Sequence, residues 1–159
     1  MVAAVLTISD GVHRGSREDR SGDTLANLLA GDGFEVIRRV VPDERGEIAR
    51  AIRELAAVAP LVLTTGGTGV APRDVTPEAT LDVVERVVPG IPEALRADAS
   101  ARTPHGLLSR ATAGVLDSTL IVNLPGSPGG CRDGFAILRP LLHHAIELLT
   151  DAPTEHVQT

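Results

Sequence analysis

The sequence predicts an α/β fold, a mostly parallel sheet covered on both faces by helices. Three observations predict it. Apolar, β-branched runs alternate with amphipathic helical runs in the order β-α-β-α-β-α. The runs "VAAVLTIS" and "LVLTT" are apolar over consecutive residues, as strands buried between two helical layers are. Loops rich in Gly, Pro and charge follow the strand-like runs, where such sheets bind ligands.

The elements follow in order. Val2–Ser9 reads as the first strand, and its lack of preceding basic residues sets it apart from a signal peptide. The polar loop "DGVHRGSREDRSG" leads to a helix over "DTLANLLA". Leu25, Leu28 and Leu29 share one face there, Ser21 or Asp23 caps the start, and Gly31 or Gly33 ends it. Phe34–Val41 is the second strand. Ile48, Ile52 and Leu55 mark the next helix by their spacing, and Leu61–Thr65 is the third strand. Thr76 then reads as an N-cap with Pro77 at the first helical position, and Leu81, Val84 and Val88 continue the stripe. "PGIPEALRADAS" opens a further short helix. "RATAGVLDSTLIVNL" predicts two strands joined near Asp117–Ser118. The last helix, from about Arg132, buries Phe135, Leu138, Leu142, Ala145 and Leu149. One domain over 1–150 and a polar tail over 151–159 account for the 159 residues.

Composition narrows the chemistry. A net charge of −6, two Phe and no Trp or Tyr argue against nucleic-acid binding, which uses basic patches and aromatic stacking. No apolar run reaches the roughly 18–20 residues of a membrane span. The lone Cys131 points to a reducing, cytoplasmic setting. All 15 basic side chains are Arg. The absence of lysine excludes a phosphate-loop lysine, a Schiff base and a lysine–AMP intermediate.

The densest chemistry lies in "LTTGGTGVAPRDVTPEAT". Gly66, Gly67 and Gly69, with Thr68 between them, free the backbone so that its amides can cradle an anion; the alternative is a bare turn. Pro72 stands where the dinucleotide fingerprint needs a third glycine. Arg73 can pair with phosphate. Asp74 would repel it unless a divalent cation lies between, which suggests Mg²⁺; otherwise Asp74 pairs with Arg73 or helps cap the following helix. Asp43, at another strand end, is either an N-cap or a second carboxylate for the same ion. Arg17, Asp19, Arg20 and Ser21 form a solvated loop unless that loop folds over a ligand. His143 and His144 are helix neighbours whose side chains diverge, and Cys131 reads as a neutral structural thiol.

The motifs "SDG…EDRSGDTL", "TTGGTGVAPRDVTPEAT" and "LSRATAGV…LIVNLPGSPGG" resemble, in that order, the molybdenum-cofactor biosynthesis family. The likeness is to its molybdopterin adenylyltransferases of the MogA/MoaB type and to the gephyrin G domain, from about Val2 to Leu149. The resemblance implies a three-layer α/β/α sandwich with one antiparallel strand in a mixed sheet. It implies transfer of AMP from Mg-ATP to molybdopterin, a homotrimer or hexamer, and a downstream molybdenum-insertion enzyme. By position, Asp43 and Asp74 match the two essential, metal-binding aspartates, and Gly66, Gly67, Thr68 and Gly69 match the nucleotide loop. Ser9 and Asp10, Ser109 and Arg110, and Asn123, Pro125, Gly126 and Ser127 match positions of the molybdopterin and phosphate pocket. Rival readings are a non-catalytic molybdopterin-binding or scaffold member, and a nucleotide pyrophosphatase of the competence-damage type.

Overall fold

The computed structural model describes residues 1–150; the tail assigned to 151–159 lies outside the described residues. Six strands form one sheet: β1 (Val2–Ile8), β2 (Glu35–Val41), β3 (Leu61–Thr65), β4 (Arg86–Val87), β5 (Ala113–Leu116) and β6 (Thr119–Leu124). Their order is β2-β1-β3-β6-β5-β4. β1 pairs in parallel with β2 and β3, and β3 with β6, whereas β5 runs antiparallel to both its neighbours. The helices are α1 (Asp10–His13), α2 (Arg20–Gly31), α3 (Arg45–Ala56), α4 (Thr76–Leu81), α5 (Gly90–Arg102) and α6 (Pro128–Leu149), with a 3-10 turn over Pro104–Leu108.

Period-two alternation builds the layers. Ala3 and Val5 of β1, Leu61 and Leu63 of β3, and Leu120, Val122 and Leu124 of β6 pack with Leu25 and Leu29 of α2 and Phe135, Leu138 and Leu142 of α6. The intervening Ala4, Leu6, Ile8, Val62 and Ile121 pack with Ile48, Ile52 and Leu55 of α3 and Ala79 of α4. This is the expected three-layer sandwich. The strands β1, β3 and β6 are buried on both faces, so they have no solvent-facing side to show, and each large aliphatic side chain contributes about 1.5–3 kcal/mol.

The chain runs from β1 outward to β2 and then back across β1 to β3. The strand order therefore reverses between β1 and β3, and a crevice opens beyond their carboxyl ends. The four loops singled out in the sequence leave the ends of β1, β2, β3 and β6, all on that side.

Several boundaries differ from expectation. α2 starts at Arg20 because Asp19, rather than Ser21 or Asp23, is its cap; the Asp19 carboxylate accepts from the Gly22 amide at 3.0 Å. α6 starts at Pro128, before Arg132, because Ser127 accepts from the Gly130 amide at 3.1 Å with Pro128 in the first turn. Pro140, inside α6, is tolerated on its exposed face. Thr76 is not an N-cap. It is the first residue of α4, and its hydroxyl donates to the Gly66 carbonyl at 2.8 Å. α4 ends at Leu81, which is exposed; Val84 and Val88 follow outside it and pack on opposite faces of the sheet. α1 and the 3-10 turn are too short to carry a periodic signal. The β5–β6 hairpin turns at Asp117, which takes φ 50° as a two-residue connection requires.

Candidate functional site

A polar cleft of about 700 Å³ occupies the crevice. All four strand-end loops line it. Thr7, Ile8, Ser9 and Val12 come from β1 and α1, Arg17, Glu18, Arg20 and Ser21 from the loop entering α2, and Asp43 from the end of β2. Thr65, Gly66, Gly67 and Asp74 come from β3 and its loop, and Gly126 and Pro128 from the loop after β6.

The glycine loop is folded by its own constraints. Gly66 takes φ 99° and Gly67 φ 66°. A β-carbon at Gly66 would run into the Ile8 carbonyl oxygen, and one at Gly67 into the Thr76 hydroxyl. Only glycine lets β3 turn so closely over β1. The Gly66 amide donates to the Leu124 carbonyl at 3.2 Å and the Thr76 amide to the Gly67 carbonyl at 3.1 Å. The first turns of α2 and α6 lie at the wall, so two long helices bring their positive ends to the cleft.

Asp43 does not cap α3, whose cap position is Glu44. Its carboxylate accepts from the Asp10 amide at 2.8 Å, at the start of α1, while the Asp10 carboxylate accepts from the Asp43 amide at 3.1 Å. The ends of β1 and β2 are thereby locked together. Arg73 grips Asp10 through two nitrogens, at 2.6 and 3.1 Å, and reaches Glu44 at 2.8 Å. The Arg73 guanidinium, with the Asp43 amide's bond, holds the Asp10 carboxyl below its ordinary range. Burial pushes Asp43 the other way, above its ordinary value, and the Asp10 and Asp74 charges add to that. Asp74 makes no pair with Arg73: its Oδ2 accepts from the Ala71 amide at 3.0 Å in a local turn.

Asp43 and Asp74 thus face one cleft from different loops, and Asp43 carries an electrostatic penalty that a cation would relieve. Among the described residues no group of three or more His, Cys, Asp or Glu can hold a metal. Two carboxylates with ligand phosphates completing the shell is how Mg²⁺ is commonly held, so these residues fit that ion.

A second cleft, about 360 Å³ and mainly apolar, lies on the other side of the same ridge. Leu95, Ala99, Leu108, Ala111 and Ile137 form its walls, and Thr68, Gly69, Pro125 and Ser127 its border with the glycine loop. The residues matched to the molybdopterin pocket therefore divide. Ser9 and Gly126 line the polar cleft; Ser109, Asn123, Pro125 and Ser127 line the apolar one; Thr68 and Gly69, matched to the nucleotide loop, line it too. Asn123 is fully buried, with both amide protons committed, to Thr64 at 3.0 Å and Thr80 at 2.9 Å, and its oxygen accepting from the Thr112 amide at 3.2 Å. The Arg110 side chain grips the glycine loop and Glu78.

Arg17 of the loop and Arg20 and Ser21 of the first turn of α2 line the cleft, with both arginines exposed. Asp19 ties that segment to the sheet, its carboxylate accepting from the Thr7 hydroxyl and from Arg38, both at 2.9 Å, contacts that sequence spacing does not reveal. Cys131 is buried against the Pro125 carbonyl, and burial pushes its thiol up to about 11, as an inert structural thiol requires. His143 stacks on Phe34 at 5.0 Å, away from both clefts.

A family model described as a probable molybdopterin binding domain matches residues 4–144. The molybdopterin adenylyltransferase of Helicobacter pylori (strain ATCC 700392 / 26695) is 35% identical over 150 residues, 91% of this chain and 85% of that protein. The molybdenum cofactor synthesis protein cinnamon of Drosophila melanogaster is 40% identical over 152 residues, 92% of this chain and 25% of that protein. The crystal structure of the molybdopterin biosynthesis enzyme MoaB from Thermus thermophilus superposes with a TM-score of 0.88 at 45% identity, covering 95% of this chain and 97% of that one. The chain spans between 23% and 48% of the length of the first three curated relatives it matches.

Proposed function

The chain belongs to the molybdopterin-binding domain family of molybdenum cofactor biosynthesis, and on that premise we propose that it is a molybdopterin adenylyltransferase. The reaction moves AMP from ATP to the terminal phosphate of molybdopterin. A phosphate monoester oxygen bonds to the α-phosphorus of ATP, the bond to the bridging oxygen breaks, and pyrophosphate leaves.

One observation carries this reading: a polar cleft with two carboxylates and an apolar cleft share a single ridge. The polar cleft suits a triphosphate, whose oxygens can meet backbone amides, two helix N-termini and Arg17 and Arg20. The apolar cleft suits a flat heterocycle, with the ridge at Gly66–Gly69 and Pro125–Ser127 between the two reactants. A monoester is already ionised at neutral pH, so no strong base is required, and orientation with charge stabilisation supplies most of the rate. Mg²⁺ bound between Asp43, Asp74 and substrate phosphates would supply charge neutralisation. The lock between Asp10 and Asp43, braced by Arg73, keeps the Asp43 carboxylate pointed at the cleft before substrate arrives. Arg73 acts here through Asp10, since its bonds go to carboxylates.

A cytoplasmic homotrimer or hexamer that delivers its product to a molybdenum-insertion enzyme completes the proposal, and sedimentation would test the assembly. Among the described residues, no helix is long and apolar enough to cross a membrane. The activity is tested by incubation with Mg-ATP, with and without molybdopterin. Pyrophosphate release that requires the pterin, and that Asp43→Ala and Asp74→Ala each abolish in folded protein, supports the reading. Dinucleotide hydrolysis without pterin identifies a pyrophosphatase instead, and pterin binding without release identifies a binding member.

A further inference from the structure

Asp74 sits on a loop whose backbone has few contacts of its own with the rest of the fold. Val70, Ala71, Pro72 and Arg73 are all exposed, and the hydrogen bonds of the turn between Ala71 and Asp74 stay within the loop. Two arginines tie this loop to the body of the fold: Arg73, from within it, bonds Asp10 and Glu44 by its side chain, and Arg110, from outside, holds its backbone. The Arg110 Nε donates to the Gly69 carbonyl at 2.7 Å and its Nη2 to the Asp74 carbonyl at 2.6 Å. Its Nη1 pairs with the Glu78 carboxylate on α4, and its backbone amide donates to the Thr68 carbonyl at 2.8 Å. The segment bearing Arg110 is pinned in turn, because Arg96 of α5 donates to the Ala111 carbonyl at 2.8 Å.

We propose that Arg110 is a positioning residue that staples the glycine loop at both ends and so fixes Asp74 at the wall of the polar cleft. The guanidinium bridges two carbonyls and a carboxylate in one plane, which an ammonium cannot do. Its bonding atoms are committed to the protein, so the effect on a substrate runs through the loop. Glu78 completes the staple by orienting the guanidinium, and the pairing holds the Glu78 carboxyl below its ordinary range. The catalytic consequence rests on the proposed role of Asp74; the mechanical consequence does not.

The test uses the full chain and two separate readouts. In the protein alone, amide exchange over residues 68–75 should quicken about tenfold or more in Arg110→Met, with the core unchanged. In turnover, the same variant should raise the Mg²⁺ concentration for half-maximal rate and lower kcat by about 10- to 100-fold, since a misplacement of about 1 Å costs that much. The KM for molybdopterin should stay within about twofold. Arg110→Lys should resemble Arg110→Met, Glu78→Gln should shift both readouts less in the same direction, and the double variant should be no worse than Arg110→Met alone. Near-normal kcat in Arg110→Lys with raised substrate KM in Arg110→Met would reveal a direct charge contact and overturn the proposal. So would lower thermal stability with unchanged Mg²⁺ dependence. A wild-type protein without pterin-dependent pyrophosphate release defeats the adenylyltransferase reading only; the staple is then decided by exchange, and unchanged protection overturns it.

Discussion

Replacing Asn123 with alanine separates a ligand contact from a structural brace. Asn123 has no exposed surface and three side-chain hydrogen bonds, of 2.9, 3.0 and 3.2 Å. Removal leaves the Thr112 amide unpaired, at a cost of about 1–3 kcal/mol, and forfeits two amide–hydroxyl bonds of about 1 kcal/mol each. Thr80 is spared the full cost, because its hydroxyl still donates to the Thr76 carbonyl at 2.8 Å. The sum is roughly 3–5 kcal/mol, a large part of the roughly 5–15 kcal/mol that holds a domain together. Equilibrium unfolding in urea, with a slope of about 2 kcal/mol/M, should show a midpoint lowered by about 1.5–2.5 M. Asn123→Asp should fare no better, since it keeps the shape but loses both donors and buries a charge with no cation among its partners. A midpoint within about 0.5 M of wild type, with molybdopterin affinity lost, would refute this reasoning and make Asn123 a ligand contact instead of a brace.

Three further expectations follow from the same geometry. Asp43→Asn keeps an acceptor for the Asp10 amide and removes a charge that burial disfavours. A raised folded pKa means wild-type stability falls as pH climbs past the ordinary carboxyl value, so in divalent-free buffer the variant should match or exceed wild-type stability at pH 7, converging with it in acid, while turnover falls at least about 10²-fold; thermal melts against pH beside the pyrophosphate assay check both, and a destabilised variant at neutral pH contradicts the penalty. Gly66→Ala should cost well over the roughly 1–2 kcal/mol of left-handed strain, because its β-carbon meets the Ile8 carbonyl, whereas Gly15→Ala, at φ 77° with open space around it, should cost only that strain; equal losses in urea unfolding would remove the close-approach argument. Cys131 should resist thiol reagents at pH 8 until the protein unfolds, and stability should decline as pH rises from about 9 towards 11; labelling of native protein at the rate of a free thiol would show that the site opens.

β1, β3 and β6 were legible because burial on both faces leaves unbroken apolar runs, and α3 because Ile48, Ile52 and Leu55 fall on one face; β4, two exposed residues, was read as part of a helical stripe instead. α1 and the 3-10 turn were not legible, since elements of four or five residues complete barely one turn. The reading of Thr76 as a cap missed by one position: Val75 holds the cap position without a side-chain bond, and the Thr76 hydroxyl, inside the first turn, donates to the Gly66 carbonyl instead. Within the candidate site, the glycine pattern and the strand-end aspartates stood out by residue type. The roles of Arg73 and Arg110 did not, since an arginine's partner depends on where other loops come to rest.

The order of residues along the chain is enough to dictate the alternation that makes a doubly covered sheet, the bare backbone at the end of β3, and a chemistry without lysine. These are local properties, set by side-chain volume, polarity and backbone freedom. Folding had to settle that Asp10 and Asp43 lock each other, that Arg73 and Arg110 brace loops, and that one ridge divides a polar cleft from an apolar one. Those arrangements join residues 29–63 positions apart, and hydrogen bonds at 2.6–3.1 Å exist only once the strand order has brought their loops to the same edge.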